Sequence, residues 1–226
     1  MKRKILSFLA AGMLFTLPAA AQSVGVVMSG GGAKGLYHIG VLQALEESGI
    51  PIDYVSGTSM GSIIAGMYAA GYSPEEMRRI VASGVVKQWV SGRIDPRYTP
   101  YYRQIGHNPA FLSVRMNVGG AGKRFRVTNL LSSTPIDMAL TELFAPATAA
   151  AEGEFDRLMV PFLCVSSDMN AREPVVMRNG DLSEAVRSSM SIPLVFKPMK
   201  KDSMLLYDGG IYDNFPWRPL DVGFRP

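Results

Sequence analysis

Cysteine, histidine and tryptophan are all scarce in this 226-residue chain, with one, two and two copies. The single cysteine, Cys164, has no partner for an internal disulfide, and within PFLCVSS it reads as an inert core thiol on a buried strand. The two histidines, His38 and His107, leave little material for a serine–histidine–acid triad. No internal repeat at a solenoid period and no low-complexity tract occurs. An excess of one charge is also missing once the first residues are set aside. Lys2, Arg3 and Lys4 supply three of the four units of the net charge of +4, leaving +1 for the rest, which gives no basic face for a nucleic acid. The hydrophobic fraction of 47% and charged fraction of 19% are those of a globular enzyme.

What is present begins with a leader. MKRKILSFLAAGMLFTLPAAA has a basic start, an apolar run from Ile5 to Leu17 that is short for a bilayer span, and small residues at Ala19, Ala20 and Ala21. Residues 1–21 therefore read as a signal peptide cut before Gln22, and the chain as exported to the periplasm, the outer membrane or the medium. Residues 22–226 read as one domain. The segment 91–110, with Gly92, Pro96, Pro100, Gly106 and Pro109, reads as an insertion within it.

Apolar, β-branched runs at 24–28, 52–56, 160–168 and 203–208 predict strands. Helical spacing predicts helices over 36–48, 62–71, from Ser73, from Thr134 and over 183–192. FLSVRMN and KRFRVTN around VGGAG read as a β-hairpin. Alternating strands and helices predict an α/β fold with a mostly parallel sheet, with ligands held at the carboxyl ends of the strands.

Two glycine turns fall at such ends. Gly30, Gly32 and Gly35 fit G-x-G-x-x-G, the dinucleotide fingerprint. That reading needs an acid at the carboxyl end of the second strand, whereas Asp53 sits at its beginning. The carboxyl end carries Gly57-Thr58-Ser59-Met60-Gly61, a G-x-S-x-G between a strand and an apolar helix, which is the context of a nucleophile elbow. Gly57 and Gly61 make room for a sharp turn that exposes Ser59 at a helix N-terminus. The first turn then presents backbone N–H groups of Gly30, Gly31 and Gly32 to an oxyanion, and Lys34 adds positive potential or is simply solvated. For the base, neither His38 nor His107 lies where a triad brings its histidine. Asp208, ending a strand before Gly209 and Gly210, and its rival Asp168, also at a strand end, are the carboxylates placed to serve.

Together SGGGAKG (29–35), GTSMG (57–61) and DGG (208–210) resemble the patatin-like phospholipase family, and VRSSMSIPLVF (186–196) is similar to the segment before the aspartate in its bacterial members. The resemblance implies a three-layer α/β/α sandwich, a Ser59–Asp208 dyad, and hydrolysis of phospholipids or other acyl esters without calcium or a cofactor. It also implies that the domain is C-terminally incomplete, followed in a longer form by an outer-membrane β-barrel. Trp89, Tyr98, Tyr101, Tyr102 and Phe111 read as part of a hairpin covering the core, with docking on a lipid surface as the alternative. Two rival readings are a secreted, non-catalytic passenger module with the same fold and a nucleotide-binding domain.

Overall fold

The computed structural model describes residues 23–92, 114–116, 125–127 and 131–224. The leader, His107, Tyr98, Tyr101, Tyr102 and Phe111 lie outside the described residues.

The chain enters the sheet with β1 (Gly25–Met28), makes a 3-10 turn over Gly32–Leu36 and continues into α1 (Tyr37–Glu47). Gly49, at φ 67°, closes that helix. β2 (Tyr54–Thr58) follows, and α2 (Met60–Ala69) starts one residue after it. The strand expected at 52–56 is thus shifted, because parallel pairing runs through Thr58, opposite Val165. The turn between strand and helix is therefore Ser59 alone. α2 is apolar on every side and nearly all of it is buried, as a helix pressed between a sheet and other helices must be.

α3 (Pro74–Ala82) opens with the capping box of Ser73 and Glu76, and a short α4 (Val85–Val90) follows. β3 (Val114–Met116) and β4 (Phe125–Val127) form the antiparallel hairpin expected there. α5 (Thr134–Ala150) has Ser133 at its N-cap position, one residue before the expected cap and without a side-chain cap bond. β5 (Phe162–Asp168) is buried throughout, and β6 (Glu173–Met177) returns beside it. α6 (Leu182–Ser189) is capped by Asp181, whose side chain accepts the N–H groups of Ser183 and Glu184. β7 (Met199–Lys201), not anticipated from the sequence, pairs antiparallel with β8 (Met204–Asp208). After a 3-10 turn over Gly209–Ile211 comes α7 (Trp217–Phe224).

β1, β2 and β5 are parallel neighbours, and β7 runs in their direction, while β6 and β8 oppose it. Helices cover both faces, so the architecture is the expected three-layer sandwich around a mixed, mostly parallel sheet. Alternation along β2 separates the faces. Val55 joins a core with Ile63, Ile64, Leu140, Phe144, Phe162 and Leu182 beneath α2, α5 and α6. Tyr54 and Ser56 point the other way, Tyr54 stacking on Phe224 at 4.6 Å and Ser56 donating to the Pro216 carbonyl.

The register on β5 decides where the site forms. β6 pairs with residues 164–168 of β5, β2 with residues 162–165, and β8 with residues 166–168. A strand has two edges, so β2 and β8 must share the edge opposite β6. They approach from opposite directions and meet end to end, Thr58 opposite Val165 and Asp208 opposite Ser166.

Candidate active site

That head-on meeting brings two sequence-distant strand ends together. The Ser59 hydroxyl donates to Asp208 Oδ2 at 2.6 Å, across 149 residues of sequence. Both residues are almost closed to solvent, at 7% and 8% exposure.

Ser59 has φ 56° and ψ −123°, a conformation that costs a residue with a side chain about 1–3 kcal/mol and persists only where its surroundings enforce it. The surroundings do so sterically. A Cβ on Gly57 would lie 2.4 Å from the Gly61 backbone, and one on Gly61 would lie 2.2 Å from the Met28 carbonyl oxygen. Helix α2 can therefore start only one residue from the strand and tight against the end of β1. The Ser59 carbonyl accepts the Ser62 N–H at 2.9 Å and the Ser62 hydroxyl at 2.7 Å, closing the first turn. The positive end of the α2 dipole thus lies at the serine.

The Asp208 carboxylate accepts Ser59 on Oδ2 and the Gly210 N–H on Oδ1, the latter at 2.8 Å. Burial pushes its pKa above the usual 3.8, against the opposing pull of those two hydrogen bonds. A raised pKa makes this carboxylate a better proton acceptor than a solvated one. A Cβ on Gly209 would strike the Val165 carbonyl at 2.2 Å, so glycine is required where the two strand ends abut.

The first glycine turn lies over the pair. A Cβ on Gly30 would meet Ser59 Cβ at 2.9 Å and Asn214 Oδ1 at 2.5 Å. The Gly30 N–H is taken by the Asn214 carbonyl at 3.3 Å, and the Asn214 side-chain amide donates back to the Gly30 carbonyl at 3.3 Å. Gly30 therefore supplies close approach, while its N–H is occupied. Among the described residues, the N–H groups of Gly31 and Gly32 have no acceptor. Gly32 has φ 55°, which glycine adopts without strain. Lys34 stands exposed on the same turn.

The other candidates sit elsewhere. His38 Nε2 donates to the Ser29 carbonyl at 3.0 Å, anchoring the glycine turn. Asp168 accepts the backbone N–H groups of Asn170 and Leu205 on Oδ1, at 2.9 and 3.1 Å. Those amides hold it below the usual carboxylate range, although burial opposes them. Asp53 accepts the Val24 N–H at 2.7 Å, a structural tie at the far end of β2. Among the described residues, no group of three or more His, Cys, Asp or Glu side chains could hold a metal ion.

The sequence gives no sign of Asn214, and shows the segment before the aspartate only as a resemblance. Asn214 clamps the glycine turn to the aspartate turn. The VRSSMS segment (186–191) touches both halves of the pair: the Ser189 hydroxyl accepts the Ser59 N–H at 3.0 Å, and the Ser191 carbonyl accepts the Asp208 N–H at 3.0 Å. Arg187, Ser188, Ser189 and Ser191 are all buried, and Arg187 is satisfied by Asp137, by the Ser191 hydroxyl at 2.7 Å and by the face of Phe196.

Comparison with known proteins adds to this geometry. The family model "Patatin-like phospholipase" matches residues 26–221. A patatin-like phospholipase domain-containing protein of Caenorhabditis elegans is 31% identical over 86% of this chain and 12% of its own length. The lysophospholipase NTE1 of Cryptococcus neoformans is 31% identical over 88% of the chain and 10% of its own length. An NTE family protein of Mycobacterium bovis is 29% identical over 89% of the chain and 46% of its own length. The chain thus spans between about a tenth and about half of these relatives. The crystal structure of VipD from Legionella pneumophila matches 87% of the chain with a TM-score of 0.50 at 17% identity, a likeness of fold. The motifs, the fold and the family match agree: this chain belongs to the patatin-like phospholipase family.

Proposed function

We propose that this chain is an exported serine acyl hydrolase that cleaves ester bonds of phospholipids or lysophospholipids through Ser59 and Asp208. The observation that carries the reading is the 2.6 Å hydrogen bond from the Ser59 hydroxyl to Asp208 Oδ2, made by a serine held at φ 56°.

In the reaction, Ser59 Oγ attacks the ester carbonyl carbon as its proton passes to Asp208 Oδ2. The carbonyl oxygen becomes an oxyanion and is met by the N–H groups of Gly31 and Gly32 and by the amino end of α2. Collapse breaks the ester C–O bond, and the departing alcohol takes the proton from Asp208. Water then attacks the acyl-enzyme, giving a proton to Asp208. The second tetrahedral intermediate expels Ser59 Oγ, which recovers that proton, and the fatty acid leaves. Two features support a carboxylate in the role of base: its raised pKa, and the absence of any histidine on Ser59 among the described residues. The name of the NTE1 relative favours lysophospholipids as the first substrates to screen. The leader (1–21) supports export, and a membrane surface and a C-terminal barrel in a longer form remain part of the proposal.

The test is fluorophosphonate labelling, with fatty-acid release from lysophosphatidylcholine and phosphatidylcholine vesicles, on the wild type and on Ser59→Ala. Labelling and release by the wild type and loss of both in a folded Ser59→Ala protein are expected. A folded wild type that neither labels nor releases fatty acid would favour the passenger reading.

A further inference from the structure

The bonds around Ser59 contain an irregular rung. The parallel ladder between β2 and β5 includes a bond from the Val55 N–H to the Pro161 carbonyl. Strand periodicity then turns the Leu163 and Val165 carbonyls to the same edge, so the rung due next after Gly57 runs from the Ser59 N–H to the Val165 carbonyl. That direct bond is replaced. The Ser59 N–H donates to Ser189 Oγ at 3.0 Å, and Ser189 Oγ donates to the Val165 carbonyl at 2.6 Å. A single hydroxyl, itself wholly buried, is spliced into the ladder at the point where β2 and β8 both end.

We infer that Ser189 is a positioning residue for the nucleophile. Its oxygen acts as a spacer between Ser59 and β5. It pushes the Ser59 peptide off the sheet line, where the chain turns to positive φ, and satisfies the N–H and the carbonyl that the parting leaves behind. The Ser59 hydroxyl then stands at one place relative to Asp208. This spacer also removes the Ser59 N–H from the set of oxyanion donors, leaving that task to the glycine turn. The inference rests on Ser59 being the nucleophile proposed above.

The experiment compares Ser189→Ala, Ser189→Cys and Ser188→Ala with the wild type. Ser188 is an equally buried neighbour whose hydroxyl meets Ser166 Oγ at 2.8 Å and the Ala185 carbonyl at 2.7 Å, with no bond to Ser59. In Ser189→Ala the peptide closes toward Val165, and second-order fluorophosphonate labelling and kcat fall by about 10- to 100-fold with KM little changed. Ser189→Cys, which keeps a weaker donor and acceptor, falls between. Ser188→Ala loses melting temperature and keeps the wild-type labelling rate. If Ser189→Ala does not fold, Ser189→Cys decides. A Ser189 variant that is folded and labels at the wild-type rate overturns the positioning role and leaves the hydrolase reading standing. A wild type that does not label overturns both.

Discussion

Two aspartates end neighbouring strands of this sheet and differ in almost everything that matters chemically. Asp168 closes β5 and Asp208 closes β8, and on β5 their register positions lie two residues apart. The Asp168 carboxylate accepts the backbone N–H groups of Asn170 and Leu205, which favour its charged form. Asp208 receives one amide, from Gly210, and one hydroxyl, from Ser59, and burial outweighs both. One carboxylate is thereby fixed as a charged turn brace and the other is left under-solvated and ready for a proton. The lesson is that burial weighed against the amides aimed at a strand-end aspartate, not its place on the sheet, sets its affinity for a proton.

The sharpest way to break this comparison is to neutralise each carboxylate in turn. Asp208→Asn is expected to slow fluorophosphonate labelling by about a thousandfold or more, while Asp168→Asn leaves the labelling rate of the folded protein close to that of the wild type. Equal losses from the two changes would break the contrast between the two carboxylates.

Next in size is a steric change at the Ser59 turn. Gly61→Ala places a methyl group against the Met28 carbonyl, where neither side can yield without moving backbone. We expect a loss of about a hundredfold in labelling together with a lower melting temperature. Gly210→Ala, whose Cβ would meet the side-chain ends of Asn214 and Asp208 at 2.9 Å, costs less. The two variants, assayed side by side, rank the rigidity of the two turns.

The pH dependence follows from the opposite shifts. In the proposed mechanism Asp208 acts as a base only when ionised, so labelling is expected to fall as pH drops through its folded pKa. The acid limb should be centred above 3.8. For stability, a carboxylate raised on folding contributes fully below its unfolded pKa and loses that contribution as pH rises through its folded pKa. Asp208→Asn should therefore raise the melting temperature at neutral pH, a gain that fades in acid. Asp168, lowered on folding, contributes above its unfolded pKa and loses that contribution as pH falls through its folded pKa. The smallest effect is thus a slight drop in melting temperature for Asp168→Asn near pH 7, shrinking in acid.

Much of the site was legible because its parts are local. The elbow is readable in GTSMG since a one-residue turn needs glycines on both sides, and Gly57 and Gly61 make those contacts within five residues of each other. The leading glycine turn is readable for a similar reason, though not that the Gly30 N–H is spent on Asn214. The strand bounds of β2 were two residues off because the ladder to β5, a partner about a hundred residues away, extends the strand through Thr58. β7 was missed because MKK has no apolar alternation and exists as a strand by pairing with β8. Ser189 and Asn214 carried no pattern of their own, since a buried serine and a loop asparagine declare their use only through partners distant in sequence.

The sequence by itself determined the alternation of strands and helices, the two glycine turns, the serine at a strand-to-helix corner and the aspartate at a strand end, because each follows from steric and periodic rules that act within a few residues. Only the tertiary structure decided that β8 runs against β5 and meets β2 end to end. Strand direction and register are set by pairing across the whole chain, and that reversal is what carries Asp208, and not Asp168, to within 2.6 Å of Ser59.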